Sequence, residues 1–66
     1  MKVLFDEKAD AVYIRLDQSE IRESEEVQPG IVLDFDENGE VVAIEILRVS
    51  RRVPKEQLRQ MHFEVA

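Results

Sequence analysis

The stretch DFDENGEVVAIE, Asp34 to Glu45, sets Asp34, Asp36 and Asn38 at alternate positions, a glycine at the sixth and a glutamate at the twelfth. These residue types at this spacing match a calcium loop, in which side-chain oxygens and a closing bidentate glutamate surround a hard cation. A calcium hand also needs an amphipathic helix on each side of the loop. Here Pro29 and Gly30 precede GIVLDFD, which alternates apolar and polar residues, and EVVAIEIL is rich in β-branched residues. Both flanks predict strands, and Asn38-Gly39 between them is a hairpin signal. The expectation is therefore a plain hairpin without metal. A weaker cation site on Asp34, Asp36 and Asn38 is the residual alternative.

Other reactive groups are few. A nucleophile needs an activating base within hydrogen-bond reach. The chain offers Ser19, Ser24 and Ser50, no cysteine, and His62 as its one histidine. His62 follows Leu58 by four residues near a terminus, which fits a surface or packing role. Paired carboxylates are expected by chance among fifteen acids, and both glycines are assigned to turns, so no phosphate-binding glycine loop is available. The expectation is a non-enzymatic protein with no cofactor. Glu23, Glu25 and Glu26 form a charge run that protects an edge strand or, alternatively, engages a basic partner protein.

The elements that hold these residues follow from size and pattern. Sixty-six residues permit one domain, and a chain this short buries only about 60% of its unfolded surface. Without cysteine no disulfide is possible, which leaves oligomerisation as the staple. The absence of cysteine fits a cytoplasmic location, and no apolar run predicts a membrane span or signal peptide. Residues 1–47 carry net charge −9 and residues 48–66 net +3, for −6 in all. The acidic body argues against nucleic acid, and the bases Arg48, Arg51, Arg52, Lys55 and Arg59 read as a solvated helix face.

Lys2–Phe5 and the alternating AVYIRLD, Ala11 to Asp17, predict a first hairpin across the turn formers DEKAD. Ser19–Val27 predicts a weak or edge strand, and Gln28-Pro29-Gly30-Ile31 a type II turn. Setting Asp36 opposite Val41 aligns Phe35 with Val42, Leu33 with Ile44 and Ile31 with Ile46, all apolar, whereas a shift by one loses the match. Pro54 fits the first position of a short helix through KEQLRQM, whose Leu58 and Met61 are three apart. The fold class is α+β: an antiparallel β-meander of four to five strands over residues 1–48, then a helix and tail over 49–66.

Val3, Phe5, Val12, Ile14 and Leu16 extend the paired apolar face into a core on which Leu58 and Met61 can pack. The second face carries Leu4, Ala11, Tyr13, Val32, Val41, Ala43 and Leu47 among Arg15, Asp34 and Glu45. One helix cannot cover two faces, so Tyr13, Val32, Val41 and Ala43 are the candidate interface of a homo-oligomer, first of all a two-fold dimer. The alternative is that Arg15, Asp34 and Glu45 keep this face wet beneath Tyr13. Arg15 is expected to pair with Asp34 or Glu45.

The run FDEKADAVYIRL, then ESEEV, then GIVLDFDENGEVVAIEIL resembles a family of small prokaryotic proteins catalogued as domain of unknown function 2283. Three motifs occur in order over residues 1 to about 50. The resemblance implies a small β-meander with a variable C-terminal helix, and a place in gene neighbourhoods resembling toxin and antitoxin pairs, where an acidic chain neutralises a basic partner. It brings no catalytic residues. The tail VSRRVPKEQLRQMHFEVA departs from the family pattern.

Overall fold

Apolar alternation punctuated by turn formers gives five strands. The computed structural model describes residues 1–66, with β1 (Lys2–Asp6), β2 (Ala11–Arg15), β3 (Glu23–Gln28), β4 (Ile31–Phe35) and β5 (Val41–Leu47). They form one antiparallel sheet in the order β1-β2-β5-β4-β3. The β3–β4–β5 meander is joined to the β1–β2 hairpin by pairing β5 with β2, so the longest strand lies at the centre. The acidic β3 and β1 are the edges.

Each turn has a chemical cause. Asp6 Oδ1 accepts the Ala9 N–H at 3.1 Å, and Asp10 takes φ 53°, a left-handed conformation that aspartate tolerates better than most residues. Gly30 closes the β3–β4 turn at φ +86°. Between β4 and β5 the loop is Glu37–Gly39, closed by Asp36 N to Glu40 O at 2.9 Å, with Gly39 alone at positive φ, +77°. This three-residue loop lengthens the expected two-residue turn, because Asp36 Oδ1 accepts the N–H of both Asn38 (2.8 Å) and Glu40 (3.0 Å).

The longer loop alters one part of the register. Ile31 faces Ile46 and Leu33 faces Ile44, as the apolar pattern predicts, but Phe35 faces Val41 rather than Val42. Val42 is the extra residue of a bulge. Its carbonyl turns to accept the Leu16 N–H at 2.8 Å, and its side chain is fully buried.

Beyond β5, Arg48 adopts a left-handed conformation (φ 50°, ψ 43°) and turns the chain into a 3-10 turn, Val49–Arg51. Val49 is buried there, its N–H donating to Asp10 O at 2.9 Å. The helix α1 is Lys55–Leu58, a single turn shorter than expected, with Pro54 at its N-cap. It is tethered by Arg59, whose Nε and Nη2 donate to Glu7 Oε1 at 3.0 and 2.7 Å. Only docking an apolar side would lengthen so short a helix. Leu58 is half-buried, and Met61, expected to pack on the sheet, is 69% exposed.

The sheet therefore lacks a second layer. The fully buried apolar side chains are Val42, Ala43 and Val49. The accessible surface is 5318 Å², against about 4,300 Å² expected for a compact monomer of 7.7 kDa. The radius of gyration is 12.7 Å, where about 11 Å would describe a compact chain of this length. No helix is long and apolar enough to cross a membrane.

Candidate functional site

Pairing places like residues in rows. On one face Val3, Ile14, Ile44 and Leu33 lie side by side across four strands and end at Glu25 on β3. The adjacent row is Phe5, Val12, Ile46 and Ile31, ending at Gln28. These eight apolar side chains share one face because side-chain direction alternates along every strand. None of them is fully buried, and Val3 is 42% exposed, although Val42, which shares this face by alternation along β5, is fully buried. The face expected to be the covered core is covered only in part.

The opposite face mixes polar and apolar residues. Its rows are Lys2, Arg15, Ala43, Asp34 and Ser24, and then Leu4, Tyr13, Glu45, Val32 and Glu26. Arg15 does not pair with Asp34 or Glu45. Its guanidinium donates to Asp17 O (2.7 Å), Tyr13 Oη (3.0 Å) and Ser19 O (2.5 Å), because the chain leaving β2 brings two carbonyls within its reach.

Asp34 is 1% exposed, and its Oδ1 accepts from Ser24 Oγ at 2.5 Å. Its Oδ2 is buried with no other donor at hand, so the carboxyl proton of Glu45 is the group that can satisfy it. The hydrogen bond to Asp34, partial burial and the repulsion between the two carboxylates together push Glu45 up to about 7. This pair can hold and release a proton near neutral pH. Ser24 Oγ donates its hydrogen bond to this pair through Asp34, and the one histidine, His62, lies apart in the tail, paired with Glu64 at 3.1 Å.

Two other carboxylates are held low. Ser50 Oγ and N donate to Asp10 (2.6 and 3.0 Å) and lower it. The Ser19 N–H, donating at 2.7 Å, lowers Asp17. Both arrangements pin loops.

The residues singled out by sequence divide accordingly. Tyr13, Val32 and Ala43 lie on the mixed face, and Ala43 has no exposed surface with which to touch another chain. Val41 pairs with Phe35 beside the bulge and is half-buried. Glu23, Glu25 and Glu26 are exposed on edge strand β3. Asp34, Asp36 and Asn38 do not converge, since Asp34 is buried against Ser24 while Asp36 caps the turn, and no cluster of three His, Cys, Asp or Glu side chains could hold a metal ion. The carboxyl pair was open to detection: with Asp34 opposite Ala43, Glu45 is a diagonal cross-strand neighbour on the same face.

The family model described as Protein of unknown function (DUF2283) matches residues 2–50, which include all five strands and the start of the 3-10 turn. The chain belongs to that family. No curated protein and no solved structure matches it.

Proposed function

We propose that this chain is a non-enzymatic, self-associating module that acts through protein contacts, two copies stacking their open apolar faces into a β-sandwich. The observation that carries the reading is the pair of four-residue apolar rows with no layer over them. Sheets stack face to face at about 10 Å, interdigitating rows of this kind. A face of apolar side chains bounded by Glu25 and Gln28 can be self-complementary, which is what a two-fold contact requires.

Light scattering of two variants tests the reading. Ile44→Asp puts a charge at the centre of the apolar face and is expected to halve the mass while the far-ultraviolet circular dichroism stays that of a sheet. Tyr13→Asp, on the opposite face, is expected to leave the mass unchanged. If Ile44→Asp unfolds the chain, Val3→Asp at the exposed edge serves instead. Retention of the dimer mass in a folded apolar-face variant rejects the sandwich.

A second reading is supported by β3, whose six residues are all exposed and include Glu23, Glu25 and Glu26. This edge would bind a basic partner protein, as an antitoxin-like inhibitor does. Reversing the three charges would then abolish capture of that partner and remove its salt dependence. Unchanged capture would leave the edge a solvated one.

A further inference from the structure

Fifteen acids outnumber nine lysines and arginines in this chain, yet Arg48, Arg51 and Arg52 form no ion pair with any of them. The backbone is arranged to gather them. Arg48 sits at φ 50°, ψ 43°, a conformation that residues with a Cβ seldom adopt. Such an outlier is a reason to look for function.

The reversal at Arg48 carries its guanidinium over the β3–β4 turn, where Gly30 leaves room. A Cβ on Gly30 would lie 3.3 Å from Arg48 Nη2 and 3.9 Å from Arg52 Nη2. Gly30 is buried, and Arg52 Nη2 donates to Pro29 O at 3.3 Å. With Arg51 and Leu47 these groups line one shallow depression at the end of the sheet.

Two acids lie close by without forming an ion pair with these arginines. Glu26 Oε2 accepts the Gly30 N–H at 3.3 Å, and Asp10 holds Ser50 through both oxygens while its charge interacts with that of Arg51. Three like charges gathered at one depression still repel one another, and an oxyanion between them relieves the repulsion. Guanidinium forks match oxyanions through paired N–H donors, and three forks exceed what the two oxygens of one carboxylate can use. The acidic body, net −9 over residues 1–47, repels an extended phosphate backbone and limits the ligand to one compact dianion.

We infer that Arg48, Arg51 and Arg52 form a binding site for a single phosphate group at the β3–β4 turn. The site is separate from both the open apolar face and the carboxyl pair, and does not depend on self-association.

Amide and arginine side-chain resonances, followed during titration with inorganic phosphate at constant ionic strength, test it. Saturable shifts are expected at Gly30, Arg48 and Arg52, weakened about tenfold or more in R48Q/R52Q, where two charge-assisted donor groups are lost. If that variant unfolds, Arg52→Gln alone, exposed at the rim, is expected to weaken binding in the same direction. A phosphoserine peptide titrated alongside distinguishes the source: tighter binding than phosphate assigns the site to a phosphorylated partner, and equal binding to the free ion. Shifts that fail to saturate, that persist in the variants, or that succinate reproduces equally would overturn the site.

Discussion

Replacing Glu45 by glutamine tests the carboxyl pair through the pH dependence of stability. Glu45 would ordinarily titrate near 4.5, and the folded chain holds its proton up to about 7. Below the lower value both folded and unfolded chains are protonated, and the stabilisation is complete. As pH rises from 4.5 to about 7 the unfolded chain gives up its proton while the folded chain keeps it, so stability falls; above about 7 it stays at its lowest. That gap converts to at most about 3.4 kcal/mol at about 1.4 kcal/mol per pH unit. Glu45 is only partly buried, and solvent screening reduces the figure to about 1–2 kcal/mol.

Tyr13 on β2 and Val32 on β4 flank Glu45, Glu26 lies beyond Val32, and Arg15 is committed to Tyr13 and two carbonyls. A glutamine amide can donate to Asp34 at every pH and carries no charge. Glu45→Gln should therefore match the wild type at the acid end and exceed it by about 1–2 kcal/mol above neutrality. Urea unfolding at fixed protein concentration, across that pH range, gives the difference directly, and contributions from Asp10 and Asp17 cancel in it. A variant whose stability parallels that of the wild type at every pH would refute the shared proton.

Two further outcomes follow from the turns. Both glycines have positive φ, but a Cβ meets nothing within 4 Å at Gly39, whereas at Gly30 it meets Leu47 O and Arg48 Nη2 at 3.3 Å. Thermal melts should show Gly39→Ala losing about 1–2 kcal/mol from conformation alone, and Gly30→Ala losing more; equal losses would contradict the packing at Gly30. Excess calcium should leave the melting temperature unchanged, because Asp36 Oδ1 is occupied by two backbone N–H groups and Asp34 is buried. A calcium-dependent rise would restore the loop as a cation site.

What could be read from the sequence was local. Period-two alternation and turn formers located the strands, and apolar matching gave Ile31 opposite Ile46 and Leu33 opposite Ile44. The bulge at Val42 escaped because it depends on Asp36 capping a three-residue loop, a choice between turns that differ little in composition. Tertiary placement was less legible. Leu58 and Met61 have helical spacing, but spacing does not say whether a one-turn helix reaches the sheet, and here it stays near Glu7. That is why the apolar face is covered only in part. Arg48 and Arg52 read as a solvated helix face because a left-handed residue after β5 leaves no pattern in composition. Asp34 and Glu45 fall on the second face by alternation, but that Arg15 turns to Tyr13 and two carbonyls, leaving the two carboxyls to each other, depends on side-chain placement that alternation does not fix.

The contact proposed between two apolar faces can be observed directly by mixing isotope-labelled with unlabelled protein and recording NOEs that cross between copies. Cross-copy NOEs among the methyl groups of Ile14, Leu33 and Ile44 are predicted, with none at Tyr13. A chain that stays at 7.7 kDa without such NOEs, or one whose NOEs gather at Tyr13 and Val32, would contradict the sandwich.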